Sequence, residues 1–145
     1  MIYTDLTKKA LALCFEAHRE QKDKTGLPYV FHPFHLAEQM DDEVSTVCAL
    51  LHDVVEDTSY TLEDLGAMGF PREVTDVLAL LTHAEDVPYM DYVEKISHNE
   101  TAKKVKLADL RHNSDLSRLY PHQIDERALE RNEKYKKAID FLTKN

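Results

Sequence analysis

Hydrophobic and polar positions follow a helical period through nearly the whole chain. Leu6, Ala10, Leu13, Cys14 and Ala17 have the three-and-four spacing of a single helix face. Thr25-Gly26-Leu27-Pro28 carries turn residues and breaks that helix. A second, short helix is expected after Pro33. Residues 43–55 are apolar on most sides, which predicts a central, buried helix. Thr61-Leu62-Glu63-Asp64 has the form of a capping box, with Asp in the usual Glu position. Gly66 and Gly69 are expected to close the helix it opens. Pro71 suits the first turn of the next helix, whose inward face is Val74, Val77, Leu78 and Leu81. Tyr89, Val93 and Ile96 mark another helix, and residues 99–116 a further one. After Pro121 a last helix, over about 122–143, is expected to bury Ile124, Ala128, Tyr135, Ile139 and Leu142. No stretch sustains period-two alternation, so the prediction is an all-α bundle without a sheet.

Composition narrows the partners. A chain of 145 residues is long enough for a real core and predicts a single compact domain over 1–145. Only 3 Gly and 5 Pro favour helices with short connections. A net charge of −9 without a dense basic tract argues against nucleic acid as the main partner. An acidic protein still binds phosphates where a metal and a few cations focus positive potential in one cleft. Lys24, Lys103, Lys104, Lys106, Arg111 and Arg118 are candidates, although Lys103 and Lys104 equally suit a solvated helix face. Cys14 and Cys48 lie in apolar helical stretches and read as buried free thiols of a reducing cytosol. No signal peptide or apolar span of membrane length is present, so a cytoplasmic location without membrane contact is expected. Nothing in the sequence fixes an oligomeric state.

The chemistry concentrates in Leu50-Leu51-His52-Asp53-Val54-Val55-Glu56-Asp57-Thr58. Helix formers on both sides predict that this segment is one helix, with Glu56 over His52 and Asp53, and Asp57 over Asp53. Three carboxylates and an imidazole against an apolar wall are costly unless compensated, and a divalent cation compensates them most simply. Two other segments are candidates to complete a metal site. His32 precedes Pro33, which disfavours helical geometry and predicts a loop-to-helix junction. Asp109 and Asn113 are four apart in Val105–Asn113. Two imidazoles and two carboxylates from separate segments would make a mixed nitrogen/oxygen site with positions open for an activated water. Of the other histidines, His35 lies three residues from His32 and is a weaker candidate to share the metal, while His112, three from Asp109, is a candidate to stand behind the ligands or to contact phosphate. His18 reads as a hydrogen-bonded packing residue, and His83, His98 and His122 as solvated or capping.

The order His32, His52-Asp53, Asp109 resembles that of HD-domain metal-dependent phosphohydrolases. The residues around it resemble the hydrolase domain of RelA/SpoT-type alarmone enzymes. They are Ala17-His18, Gln21, Lys24, Gly26, Pro28-Tyr29, His32-Pro33, Leu51 to Thr58, Lys106-Leu107-Ala108-Asp109 and His112-Asn113. The resemblance covers roughly residues 4–120. It implies an HD-fold helical bundle, a Mn²⁺ ion, and release of 3′-pyrophosphate from guanosine tetra- or pentaphosphate in the stringent response. It implies metal ligation by His32, His52, Asp53 and Asp109, water handling by Glu56 and Asp57, and a nucleoside contact from Asn113. Lys24, Lys106 and Arg111 are the candidate phosphate-binding cations. Such ligands also accept Fe²⁺, Zn²⁺ or Ni²⁺.

The chain also departs from the family. Asp23 stands where these enzymes commonly carry an Arg that packs on guanine. A carboxylate cannot stack as a guanidinium does, though it can accept hydrogen bonds from a base or ribose. A weaker guanine preference is therefore expected. Leu110 replaces the Arg that usually follows the last ligand, and Arg111 comes one place later. The alternatives are an HD nucleotide phosphohydrolase or 5′-nucleotidase of other specificity, and a nucleotide-sensing module without turnover.

Overall fold

The computed structural model describes residues Met1–Asn145. Its helices are α1 (Asp5–His18), α2 (Phe31–Glu38), α3 (Glu43–Leu51), α4 (Val54–Asp57), α5 (Leu62–Ala67), α6 (Arg72–Leu81), α7 (Tyr89–Ile96), α8 (Glu100–Asn113) and α9 (Glu126–Lys144). Two 3₁₀ turns, Leu116–Arg118 and Pro121–Gln123, join α8 to α9. The fold is all-α, and its only β feature is an isolated antiparallel bridge between Lys22 and Pro28.

The starts of these helices are written locally. Thr4 caps α1, Asp42 caps α3, Asn99 caps α8 and Asp125 caps α9, each accepting from a first-turn amide. The capping box at Thr61 forms as expected: Thr61 Oγ1 accepts from Asp64 N–H, and the Asp64 carboxylate accepts from Thr61 N–H. Each such cap contributes about 1 kcal/mol. Helix α3 is the centre of the bundle and packs against α1, α2, α6 and α8. From Ser45 to Leu51 every residue of α3 is buried. Truncating Leu50 or Leu51 there costs about 2–5 kcal/mol. Val74, Val77, Leu78 and Leu81 line the inner face of α6 as the pattern requires.

Several boundaries differ from the sequence reading. Helix α3 stops at Leu51, and α4 begins only at Val54. His52 Nδ1 donates to the Ala49 carbonyl at 2.7 Å and so takes an acceptor of the last turn. Asp53 follows with φ −104° and ψ −1°. His32 lies inside the first turn of α2 and not before it. Pro33 is tolerated because first-turn amides have no intrahelical acceptor to lose. Gly66 lies within α5, and only Gly69 closes it. Pro71 is the N-cap of α6 and not its first residue. Ile124, expected in the core, is exposed in the 3₁₀ connection before α9. Ala128, Asn132, Ala138 and Leu142 form the buried face of α9, with Tyr135 and Ile139 half-buried beside it.

Candidate metal centre and its two cavities

Three elements converge at one point. Helix α2 brings His32, the break between α3 and α4 brings His52 and Asp53, and α8 brings Asp109. His32 Nε2 lies 2.9 Å from Asp109 Oδ1. His52 Nε2 lies 3.0 Å from Asp53 Oδ2 and 3.5 Å from Asp109 Oδ1. The ligand atoms of His32, His52 and Asp109 all fall within 4.8 Å of one another, and all three residues are buried. Asp53 stands at the edge of this group, and its carboxylate accepts from the Tyr29 hydroxyl.

The donor set fits a divalent cation. With Nδ1 committed as a donor to Ala49, His52 presents the lone pair of Nε2 to two carboxylates. That nitrogen is buried and makes no hydrogen bond of good geometry. Acceptors that face acceptors at 3 Å need a positive charge between them. Burial alone would lower the basicity of His52, yet the Asp53 and Asp109 carboxylates hold its pKa well above the ordinary value. Burial would likewise raise the Asp109 pKa, but Lys106, His32 and His52 hold it well below the usual carboxylate range. Lys106 Nζ lies 2.9 Å from Asp109 Oδ2, and Asn113 Nδ2 donates to Oδ1 at 2.9 Å.

Two cavities open from this cluster and share Tyr29, Asn113 and Tyr135. The smaller, of about 260 Å³, is lined by the acids Asp53, Glu56, Asp57 and Asp109 together with Lys106 and Lys134. Lys134 Nζ sits 4.0 Å above the Tyr89 ring. The larger, of about 310 Å³, reaches His32 and is lined by Lys22, Lys24, Arg118 and Arg131 against Asp23 and Asp115. Gly26, at φ 86°, permits the tight loop that forms its rim. Gln123 ties that rim down by donating to the Lys24 carbonyl at 2.8 Å.

The two acids after the His-Asp pair are not equivalent. Glu56 Oε1 accepts from the backbone N–H of His83 at 2.8 Å, so one of its oxygens is occupied. Asp57 has no such tie. Burial, then the Asp53 and Glu56 carboxylates, push its carboxyl up to about 6.

Among the other sequence candidates, Lys24, Lys106 and Asn113 reach a cavity. Arg111 does not; it is exposed on α8 and lines neither cavity. Two residues on from Asp109 is about 200° around a helix, which sends Arg111 the opposite way. Leu110 between them is fully buried in the core, which accounts for an apolar residue there. Lys103 pairs with Glu100, and Lys104 with Asp41, on the outer face. His18 is buried, with Nδ1 2.8 Å from Gln21 Oε1, as a packing residue should be. His83 is neither solvated nor a simple cap: its ring stacks on Tyr92 and faces the smaller cavity. Asp23 is turned back into its own loop, where Oδ1 accepts from Thr25 N–H, Thr25 Oγ1–H and Leu27 N–H. Burial would raise its pKa, but these bonds and nearby Arg118 lower it.

The sequence reading missed Tyr29 as the donor to Asp53, and it missed the wall supplied by α9: Arg131, Asn132, Lys134 and Tyr135. The available signal was the set Ala128, Arg131, Asn132 and Tyr135, spaced three and four apart, which puts polar residues on the buried stripe of an amphipathic helix.

No family model matches the chain. Among curated proteins, guanosine-3′,5′-bis(diphosphate) 3′-pyrophosphohydrolase MESH1 of Xenopus tropicalis is 33% identical over 130 residues, which cover 80% of this chain and 72% of that protein. A GTP pyrophosphokinase of Streptomyces coelicolor is 38% identical over 115 residues, or 66% of this chain. The chain spans only 13% of that enzyme's length. A solved structure of a metazoan ortholog of SpoT, described as hydrolysing ppGpp with a role in starvation responses, superposes with a TM-score of 0.76 at 26% identity. The match covers 98% of this chain and 88% of that one.

Proposed function

The chain belongs to the HD-domain family of SpoT- and MESH1-type pyrophosphohydrolases, and from that premise we propose that it hydrolyses guanosine 3′,5′-bis(diphosphate) at the 3′ position. The observation that carries this reading is a cation-ready cluster at the junction of two unlike cavities. The smaller suits the phosphates under attack. The larger suits the nucleoside and its remaining phosphates.

His32, His52, Asp109 and Asp53 would hold the ion, for which Mn²⁺ is our choice, and it would supply an activated water and a Lewis acid for a phosphoryl oxygen. Asp57 orients the attacking water and takes its proton, a role suited to a carboxyl near 6. Glu56, anchored on His83, flanks the same water. Attack at phosphorus breaks the bond to O3′. The proton returns to O3′, so pyrophosphate and guanosine 5′-diphosphate leave. Lys106 and Lys134 offset the charge that develops on the pyrophosphate oxygens. Asn113, already fixed on Asp109, turns toward the nucleoside side, where Lys24, Arg118 and Arg131 meet the 5′-phosphates.

Asp23 lines the nucleoside cavity with one oxygen consumed by its own loop, so no stacking cation is present at this rim position. We expect 3′-pyrophosphate hydrolysis with a modest preference for guanine over adenine. The test measures pyrophosphate release with Mn²⁺ from guanosine and adenosine 3′,5′-bis(diphosphates), and phosphate release from a nucleoside monophosphate. The expected kcat/KM order is guanosine, adenosine, monophosphate. Cleavage of the monophosphate alone would replace the proposal with a nucleotidase. Binding of every nucleotide without turnover would replace it with a sensing module.

A further inference from the structure

The two histidines of the cluster are held in different ways. His52 Nδ1 faces the Ala49 backbone carbonyl, which only accepts, so its tautomer has one solution. His32 Nδ1 faces another imidazole nitrogen, Nδ1 of His112, at 2.7 Å. One of these nitrogens must donate and the other accept, and either polarity satisfies the pair. Only one polarity suits a cation. His32 Nε2 faces the cluster through Asp109 Oδ1 at 2.9 Å, so it offers a lone pair only when the His32 proton sits on Nδ1.

We propose that His112 is the positioning residue for His32: its Nδ1 accepts from His32 Nδ1–H and leaves His32 Nε2 free to hold a divalent cation. The surroundings hold His112 in place for this task. Its ring is parallel to His32 within 3°, with centroids 5.0 Å apart. His35 stacks on it at 4.1 Å. Arg118 Nη1 donates to the His112 carbonyl at 2.9 Å and anchors its backbone. Losing a partner that orients a ligating imidazole typically costs about 10–100-fold in metal affinity. The inference rests on the reading of the cluster as a cation site, but not on any substrate.

The test uses the whole protein with Zn²⁺ and Mn²⁺ and no nucleotide. Nitrogen-15 NMR of the Zn²⁺-loaded wild type is expected to place the proton on Nδ1 of His32 and on Nε2 of His112. His112→Phe keeps a ring for His35 but offers no acceptor. It is expected to weaken Mn²⁺ binding in chelator competition by about 10–100-fold. His112→Asn restores an acceptor at the δ position and is expected to recover most of that loss. A proton on Nδ1 of His112 in the loaded wild type overturns the proposal, even if the Phe variant fails to fold. Wild-type affinity in a folded His112→Phe protein overturns it as well. Wild type that binds no Zn²⁺ or Mn²⁺ removes the cation site itself, whereas tight binding without nucleotide turnover leaves this inference standing and removes only the proposed activity.

Discussion

The two cavities meet at one cluster but are built by different routes. The smaller draws its acids from a single stretch, Asp53 to Asp57, joined by Asp109 of α8. The larger takes its cations from three separate segments: the loop at residues 22–25, the turn at Arg118 and helix α9. One is compact in sequence and rich in carboxylates; the other is dispersed and rich in guanidinium and ammonium groups. The contrast separates two tasks. Chemistry needs a few atoms fixed within tenths of an ångström, which a rigid turn between buried helices provides. Recognition of a phosphorylated nucleoside needs a charged, shaped wall, which several segments can share.

Substitutions in the two regions should therefore fail differently. The largest effect is expected at the cluster. His52→Ala should remove bound metal and activity together, as read by elemental analysis and pyrophosphate release. Asp53→Ala should do the same; full metal occupancy in that variant would move Asp53 out of the ligand set. Next comes the acid that handles water. Asp57→Asn should keep the metal and lower kcat by about 10²–10⁴-fold. An unchanged kcat would place proton transfer elsewhere, with Glu56 the next group to replace.

In the recognition cavity the expected effect is smaller and of another kind. Arg131 lines that cavity and has no carboxylate within ion-pair distance. Arg131→Ala should raise KM by about tenfold with kcat nearly unchanged, the signature of lost uniform binding. A fall in kcat without a change in KM would erase the distinction between the cavities. Arg111→Ala, on the outer face, should alter neither parameter.

The smallest effect concerns stability in the ion-free protein. The folded Asp57 carboxyl is raised to about 6, above the usual carboxylate range. The folded state thus bears a penalty whenever Asp57 is ionised in both states. That penalty is full above pH 6 and vanishes below about pH 4 as the proton binds in both states. Asp57→Asn in the presence of chelator should stabilise the protein at pH 7 by about 1 kcal/mol, after allowance for solvent screening. The gain should disappear at pH 4. Equal melting temperatures for the two proteins at pH 7 would show that solvent relieves the strain.

The local pattern of the chain determined much of this protein. Helical periodicity, capping residues such as Asp42, Asn99 and Asp125, and apolar faces such as that of α6 follow from interactions within a few residues. The cluster residues were legible because His52-Asp53 stands out chemically in an apolar run, and His32 and Asp109 have the order of a known family. Tertiary structure alone decided the rest. It set His112 behind His32, 80 residues away in the chain. It also laid α9 against α7 and α8, so that Arg131 and Lys134 became walls of the site. Contacts across 80 or more residues have no periodic signature. They arise only when the apolar faces of separate helices pack and carry their polar residues with them.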